Sequence, residues 1–313
     1  MTSGSKRWVI YATFQGDGKT RPHAVEQVRA YRELGFDVLV VDSSPSLQAE
    51  RVADWNRESS AWIQRDNKGY DFESFRAGVS WLKMRKIDFA DAHILLTNDS
   101  CFGPYTPLGR VFQSFDAYKK GLPVAFGITD SYERGRYHLQ SYWLYFRPES
   151  APLVAQFFEV MPAVHDRLEA IEFGELAISE FLLSRQCSLQ PWCGARDTLA
   201  TFSRFRGRLL SLIELLSRRV IGRPLYGKRT DEACILHLIS HPRALRHMVN
   251  QTLAFGALAH VGGLTPFLKQ SLIRENPLGD PLIPKGIDVS LLDNAGAARL
   301  ISSSVPSRPM RSR

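Results

Sequence analysis

Residues 65–104 read RDNKGYDFESFRAGVSWLKMRKIDFADAHILLTNDSCFGP and contain two polar clusters, each at the boundary of a predicted element. The first cluster, residues 66–71, precedes an amphipathic helix that the spacing predicts over Phe72–Arg85. The second, residues 98–100, follows a strand predicted over His93–Thr97. About 27 residues separate the clusters, which one helix and one strand fill. Both clusters are therefore expected at the same edge of a sheet.

The rest of the first 200 residues continues this alternation of strands and helices. Further strands are predicted over Trp8–Phe14, Phe36–Val41, Ala61–Gln64, Pro123–Ile128 and Leu139–Phe146, and helices from Pro22 and Pro107 and over Pro152–Val160 and Gly174–Arg185. The pattern predicts an α/β fold with a mainly parallel central sheet flanked by helices. Ligands of such sheets bind beyond the carboxyl ends of the strands, which makes the polar clusters candidates for a binding site.

Composition and charge limit the class of protein. The 313 residues are 44% hydrophobic and 23% charged, an ordinary globular composition that excludes a disordered, collagenous or coiled-coil chain. The net charge of +8 is concentrated in residues 201–230, where eight Lys or Arg meet only Glu214, and in residues 297–313, which hold four Arg and no acid. A general nucleic-acid-binding surface is therefore not expected.

The charge distribution also suggests a division of the chain. We expect a catalytic core over residues 1–200, a basic amphipathic helix and C-terminal helical extension over residues 201–296, and a disordered basic tail over residues 297–313. In the basic segment, apolar residues recur at steps of three and four: Phe202, Phe205, Leu209, Leu212, Leu216 and Val220. This stripe is typical either of a helix packed on the core or of one lying on an anionic bilayer.

Localisation is inferred from the cysteines and from apolar runs. The four cysteines have no spacing suited to zinc, no segment near the N-terminus is typical of an export signal, and no apolar run suits a membrane span. We expect a reduced, cytoplasmic protein. Peripheral contact with the inner face of the plasma membrane is the role that the basic stripe leaves open.

Two common phosphate-binding motifs are excluded. Residues 16–20, GDGKT, end like a P-loop, but the position five before Gly18 is Thr13 rather than glycine. No G-x-G-x-x-G follows a predicted strand, which removes the usual dinucleotide fingerprint.

Six blocks of sequence together carry a family resemblance. They are NKGYDFESF at 67–75, LLTNDS at 95–100 with Gly103-Pro104, GITDS at 127–131, HLQSY at 138–142, PFLK at 266–269 and ENP at 275–277. These blocks resemble the rhamnan synthesis F family of polysaccharide glycosyltransferases, and the similarity spans about Trp8 to Pro277. The resemblance implies a GT-A-like nucleotide-sugar fold, with residues 98–100 in the place of the acidic motif that binds metal and diphosphate.

The donor side of the expected site lies in the polar clusters. The candidate residues are Asn67, Gly69, Asp71, Asn98, Asp99 and Lys269. Asp99 is the expected ligand of Mg²⁺ or Mn²⁺, because a carboxylate can hold a hard cation that bridges phosphate oxygens. The usual motif has two carboxylates, whereas here Asp99 has only the amide oxygen of Asn98 beside it, so the metal requirement is open. So is the alternative that the cluster only forms a turn.

The acceptor side is expected to supply a base that takes the proton of the acceptor hydroxyl. The resemblance places Glu175 in that role, although an acidic residue also suits the N-terminus of the helix predicted from Gly174. Asp130 is the second candidate and an alternative contact for an acceptor hydroxyl. His138, at the entrance of an aromatic strand, suits a sugar contact or a structural hydrogen bond. Lys269 is either a countercharge to phosphate or a surface lysine.

The sequence therefore predicts a GT-A-like glycosyltransferase, specifically a hexosyltransferase. It would transfer a sugar, rhamnose by the resemblance, from a nucleotide-sugar donor to a bacterial cell-surface polysaccharide, lipopolysaccharide or lipid-linked saccharide. Asp99 and Asn67 are expected to meet in one pyrophosphate-sized pocket. The rival interpretation is a non-catalytic glycan-binding or membrane-associated protein on the same fold.

Overall fold

A computed structural model of the chain describes residues 6–131, 136–194, 263–275, 289 and 292–303. Its strands are β1 (Lys6–Thr13), β2 (Asp37–Asp42), β3 (Ala61–Gln64), β4 (Ala92–Asn98), β5 (Cys101–Phe102), β6 (Val124–Gly127), β7 (Asp130–Ser131), β8 (His138–Leu139), β9 (Trp143–Phe146), β10 (Ser188–Pro191) and β11 (Leu268–Lys269).

The helices are α1 (Pro22–Glu33), α2 (Ala49–Glu58), α3 (Tyr70–Met84), α4 (Leu108–Asp116), α5 (Ala151–Val160), α6 (Arg167–Glu169), α7 (Ala177–Ser184), α8 (Gln270–Glu275) and α9 (Asn294–Ser303). A 3₁₀ turn covers Phe89–Asp91, and a π-helical segment, Ala170–Leu176, joins α6 to α7.

Seven strands form the central sheet, in the order β10-β6-β9-β4-β1-β2-β3. All neighbours in it pair in parallel except β9, which runs antiparallel to both β4 and β6. Two antiparallel pairs, β5–β11 and β7–β8, lie outside this sheet. The predicted α/β fold with a mainly parallel sheet between helices is confirmed.

Strand β1 shows why the sheet is covered on both faces. Val9 and Tyr11 belong to the apolar layer formed with α1, α2 and α4, whereas Ile10 and Ala12 belong to the layer formed with α3, α5 and α7. All four side chains have no exposed surface. Successive side chains of a strand point to opposite faces, so a strand buried on both faces needs an unbroken apolar run, which residues 9–12 supply.

Two predicted elements differ from the structure. The strand predicted over Leu139–Phe146 is divided, because β8 pairs with β7 while β9 pairs with β4 and β6. The helix predicted from Gly174 begins earlier, at α6, because Asp166 caps it: its Oδ1 accepts a hydrogen bond from the backbone N–H of Glu169 at 2.8 Å.

Several predictions fall on residues outside the described ranges. The basic helix of residues 201–230 lies there, and so do most of the C-terminal extension and the last ten residues. Helix α9 crosses residue 297, where the tail was predicted to begin; the division into domains stays a prediction. Within the described ranges, every helix is too short or too polar to cross a membrane.

Candidate active site

The candidate site lies where the order in which strands are added to the sheet reverses. From β1 the chain adds β2 and β3 on one side and then returns to place β4 on the other side of β1. Thr13 pairs with Asp42 in the β1–β2 register, and Ala12 with Asn98 in the β1–β4 register. The carboxyl ends of three strands therefore meet at a topological switch point, where open α/β sheets bind ligands.

Asp99 is held at this edge by the end of β1. Its Oδ2 accepts hydrogen bonds from Thr13 Oγ1 at 2.6 Å, from Gln15 Nε2 at 3.2 Å and from the backbone N–H of Phe14 at 3.3 Å. From the residues that the structure describes, Oδ1 accepts no hydrogen bond. One oxygen of this carboxylate is thus engaged by the protein, and the other remains for a ligand.

Asn98 links Asp99 to the first polar cluster. Its side-chain oxygen accepts hydrogen bonds from the Ser100 N–H at 3.1 Å and from Ser100 Oγ at 2.6 Å. Its amide nitrogen donates to Asp71 Oδ2 at 2.7 Å. The amide oxygen that the sequence placed beside Asp99 already accepts two hydrogen bonds, so Asp71, rather than Asn98, is the second oxygen donor available near Asp99.

Asp71 has a perturbed acidity. Burial raises the pKa of its carboxyl group to about 6, and the negative charge of Asp99 acts in the same direction. The hydrogen bond from Asn98 and the positive charge of Lys269 lower this pKa, and the charge of Glu175 raises it. These charged groups lie within electrostatic reach of Asp71, which makes Asp71 the centre of the cluster.

Lys269 reaches the site from the C-terminal part of the chain. Strand β11 pairs with β5 so that Lys269 lies opposite Cys101, and the Gln270 N–H donates to Ser100 O at 2.9 Å. The ammonium group of Lys269 lies 5.6 Å from the centroid of the Tyr142 ring, a cation–π distance. Residues 263–275 thus lie against the loop that follows β4.

Glu175 lies in the π-helical segment. Its Oε1 accepts hydrogen bonds from Ser141 N and Ser141 Oγ, both at 3.1 Å. A Cβ atom on Gly174 would lie 2.4 Å from a ring carbon of Phe72, so this glycine permits close packing against α3. Because the helix begins at Arg167, Glu175 does not serve a helix N-terminus. Short π-helical segments occur often at functional sites.

Asp130 and His138 lie in the β7–β8 pair. Ser131 is opposite His138 in the register, and the Nδ1 atom of His138 is 2.9 Å from Arg136 O. The exposed fractions of Asp130 and His138 are only 6% and 1%. Burial of this kind favours the structural role that the sequence left open for His138; the roles of both residues stay predictions.

Asn67 and Gly69 lie at the ends of β3 and α3. Asn67 is exposed and lines a cavity of about 540 Å³ together with Ser44, Pro45, Gln64, Arg65, Asp66 and Lys68. Asp99 does not line this cavity, so the two residues are not brought into the common pocket that was expected there. Gly69 has φ 76°, and a Cβ atom on it would lie 2.6 Å from Val164 O. Its role is set by the backbone.

The cluster fits a divalent cation that is shared with a substrate. Within the described residues no three His, Cys, Asp or Glu side chains converge on a metal position. Asp99 and Asp71 each keep one carboxylate oxygen, Oδ1, without a hydrogen bond from those residues. Mg²⁺ is commonly held by one or two carboxylates together with substrate phosphates. These residues therefore suit Mg²⁺ or Mn²⁺ in the presence of a diphosphate.

The sequence analysis missed the residues that hold this site. Thr13 and Gln15 contact Asp99, and Ser141 holds Glu175. Thr13 ends β1 and Gln15 lies in the polar turn after it, at the same sheet edge as residues 98–100. That position was a usable signal, but the turn was considered only as a P-loop.

The structure defines an α/β protein with a pair of carboxylates, Asp71 and Asp99, at a topological switch point, where open α/β sheets bind ligands. The model of one family, described as rhamnan synthesis protein F, matches residues 38–186. The resemblance predicted from the sequence is confirmed for this part of the chain, which is shorter than the span expected. It includes every candidate residue except Lys269, and it supports a glycosyltransferase.

Relatives and solved structures are more distant. The virulence protein VirA of Vibrio anguillarum is 25% identical over 277 residues, which cover 83% of this chain and 78% of that protein. A 4-diphosphocytidyl-2C-methyl-D-erythritol synthase structure covers 61% of this chain and 90% of its own, with 17% identity and a TM-score of 0.37. The structure of a cytidylyltransferase from Leptospira borgpetersenii covers 59% of this chain and 76% of its own, with 13% identity and a TM-score of 0.36. Scores this low say nothing of function.

Proposed function

We propose that this protein is a glycosyltransferase that moves a sugar from a nucleotide-diphosphate donor to a bacterial cell-surface polysaccharide or lipopolysaccharide. The observation that carries the proposal is the Asp71–Asn98–Asp99 cluster at the switch point of the sheet, inside the part of the chain that matches the rhamnan synthesis protein F model. The name of that family, rhamnan synthesis protein F, makes rhamnose the first sugar to test.

The donor diphosphate would lie beside Asp99. A divalent cation, when bound, would neutralise charge on the departing diphosphate, and Asp99 with Asp71 would hold it. Lys269 adds a positive charge at the same place, as its effect on Asp71 indicates. The nucleoside would enter the cavity at the ends of β2 and β3, where Asn67 and Gln64 offer amide groups and Arg65 a guanidinium group.

Glu175 would act as the base for the acceptor hydroxyl. Ser141 holds one of its carboxylate oxygens through two hydrogen bonds, which fixes the direction of the other. A carboxylate so oriented can accept a proton from a hydroxyl within hydrogen-bond reach. Its charge contributes to the raised pKa of Asp71, which supports a position for the base near the proposed diphosphate contact.

The proposal includes a cytoplasmic location, where nucleotide sugars would be the donors. A lipid-linked acceptor would favour peripheral contact with an anionic membrane. The segment expected to make that contact, residues 201–230, carries eight basic residues and one acid and lies outside the described ranges.

Turnover of a panel of nucleotide sugars tests the proposal. Each donor, rhamnosyl nucleotides included, is incubated with the protein, Mn²⁺ and a saccharide acceptor, and the released nucleoside diphosphate is measured. The expected result is acceptor-dependent release that Asp99→Asn abolishes and Asp91→Asn leaves unchanged, because Asp91 is an exposed carboxylate just before the amino-terminal end of β4, at the opposite sheet edge. Donor binding without release would favour a non-catalytic glycan-binding protein. The absence of both donor binding and release would refute the proposal.

A further inference from the structure

Asp99 is reached by a chain of hydrogen bonds that starts at a buried arginine. Arg51 Nη2 donates to Thr13 Oγ1 at 3.0 Å, and Thr13 Oγ1 donates to Asp99 Oδ2 at 2.6 Å. An arginine N–H can only donate. The Thr13 oxygen therefore accepts from Arg51, and its own single proton is left for Asp99.

Arg51 is fixed in turn by the end of β2. Its side chain and that of Asp42 have no exposed surface, and Arg51 Nε lies 2.5 Å from Asp42 Oδ2. Trp55 Nε1 donates to the same oxygen at 2.8 Å, and Arg51 Nη1 donates to Lys19 O at 2.7 Å. A buried ion pair often stabilises a fold no more than apolar side chains of the same size. The hydrogen bond from Arg51 Nη2 to Thr13 indicates an orienting role.

A second chain reaches the same oxygen from the β1–α1 turn. Arg21 Nε donates to Gln15 Oε1 at 3.0 Å, and Gln15 Nε2 donates to Asp99 Oδ2 at 3.2 Å. Since Arg21 engages the amide oxygen, the amide nitrogen is the atom that faces Asp99. Arg21 is also held by Asp17, at 2.9 Å. Two arginines thus direct two intermediate donors at one carboxylate oxygen.

We propose that Thr13 and Gln15 are positioning residues for Asp99. By occupying Oδ2 they leave Oδ1 facing the ligand. Oδ1 is a hard, anionic oxygen, which suits a divalent cation. This inference rests on the proposed function, since it concerns the same site. It adds that the orientation of Asp99 is built into the protein before any substrate binds.

Crystal structures of Thr13→Val and Thr13→Ser without ligand test the orientation. Valine matches threonine in shape but has no hydroxyl, whereas serine restores the hydroxyl. We expect the Asp99 carboxylate to rotate or to adopt several conformers in Thr13→Val and to keep its wild-type orientation in Thr13→Ser. An unchanged Asp99 in Thr13→Val would overturn the proposal, because the relay would then not be what fixes it.

Binding of Mn²⁺ alone, followed by electron paramagnetic resonance, gives a second readout. Thr13→Val is expected to weaken binding by roughly tenfold or more, as found when a partner that orients a metal ligand is removed. In an Asp99→Asn background the same change should have no further effect. An equal loss in both backgrounds would show that Thr13 does not act through Asp99. Failure of wild-type turnover would refute the proposed function, while the Asp99 orientation would still decide this inference.

Discussion

The side-chain amide of Asn98 donates a 2.7 Å hydrogen bond to the carboxylate of Asp71. The bond joins the two polar clusters, which lie on either side of α3 and β4 in the sequence. Because Ser100 occupies the amide oxygen of Asn98, the amide nitrogen must face Asp71. Asp71 is thereby fixed at the same sheet edge as Asp99; burial, and after it the charge of Asp99, raises the pKa of its carboxyl group.

Asp71→Asn is expected to stabilise the protein at neutral pH. The pKa of Asp71 is raised from 3.8 to about 6, so the ionised form is the less favourable one in the folded state. Its ionisation lowers the free energy of unfolding progressively as the pH rises from 3.8 to about 6, and by a constant amount above. Asparagine keeps an oxygen that can accept from Asn98.

Urea unfolding of Asp71→Asn and wild type across this range measures the effect. The stability difference should be smallest in acid, grow between the two pKa values and then level. Asp66→Asn is the matched control, because Asp66 is exposed and five residues away in sequence. If the stability difference between Asp71→Asn and wild type shrinks as the pH rises, the pKa of Asp71 is not raised in the folded state.

Asp99→Asn is expected to lower the pKa of Asp71, because it removes a like charge that raises it. Lys269→Met is expected to shift the same pKa upward, because it removes an opposite charge. Titration of the Asp71 carboxyl carbon by ¹³C nuclear magnetic resonance measures both shifts. If neither substitution moves the Asp71 titration, the three side chains do not share a site.

Gly174→Ala is expected to lower the free energy of unfolding by about 1–3 kcal/mol, the usual cost of overpacking a core. The added methyl group would lie 2.4 Å from the Phe72 ring, and that ring is buried. Gly16→Ala is the control, because no atom lies within 4 Å of a Cβ atom there. Calorimetric melting of both variants provides the comparison, and equal melting temperatures would rule out the close contact.

Glu175→Gln is expected to lower kcat by about 10²–10⁴-fold, the range for loss of a general base, while donor affinity stays near that of wild type. The glutamine side chain can still accept hydrogen bonds from Ser141, but its amide cannot act as a base for the acceptor hydroxyl at neutral pH. Steady-state kinetics with saturating donor measure the loss. Glu172→Gln, which removes a partner of Arg136 in the same segment, should retain activity; a loss confined to donor affinity in Glu175→Gln would exclude the base role.

Arg51→Met is expected to destabilise the fold by about 3–5 kcal/mol, because it leaves the charge of Asp42 buried without its partner. Adding Asp42→Asn removes that charge and keeps an acceptor for Trp55. The double variant should therefore recover much of the lost stability, as measured by urea unfolding. A double variant no more stable than the single one would show that the charge of Asp42 was not the source of the loss.

The sheet and the meeting of the two polar clusters were predictable because both depend on local pattern. Strand β3 begins and ends as predicted, and apolar runs identify strands such as β1 that are buried on both faces. Asn98 follows Asp71 by 27 positions, a separation that one helix and one strand fill and that constrains where both ends fall.

The predicted start of the helix that contains Glu175 was wrong, although a local sequence signal for the true start existed. Asp166 and Glu169 have the spacing of a capping box. Asp166 Oδ1 accepts a hydrogen bond from the Glu169 N–H, and Glu169 Oε2 accepts one from the His165 N–H. The π-helical turn that follows depends on packing against Phe72. Sequence periodicity carries no record of such a contact.

The partners of Asp99 were not predictable because they come from distant parts of the chain. Thr13 is 86 residues away in sequence and Gln270 is 171 residues away. Neither pattern nor spacing relates positions so far apart in one sequence. The cavity beside β3 is lined by Asn67 but not by Asp99, so the expected pocket shared by the two residues is not formed there.

The pairing of β11 with β5 has a consequence for biosynthesis. A ribosome-bound chain shorter than about 263 residues could form the central sheet, yet it would lack Lys269 and Gln270, which contact the loop after β4. Closing so long a loop is slow compared with forming local contacts. We therefore expect the loop after β4 to lack these contacts in the nascent chain until residues 268–270 have been synthesised.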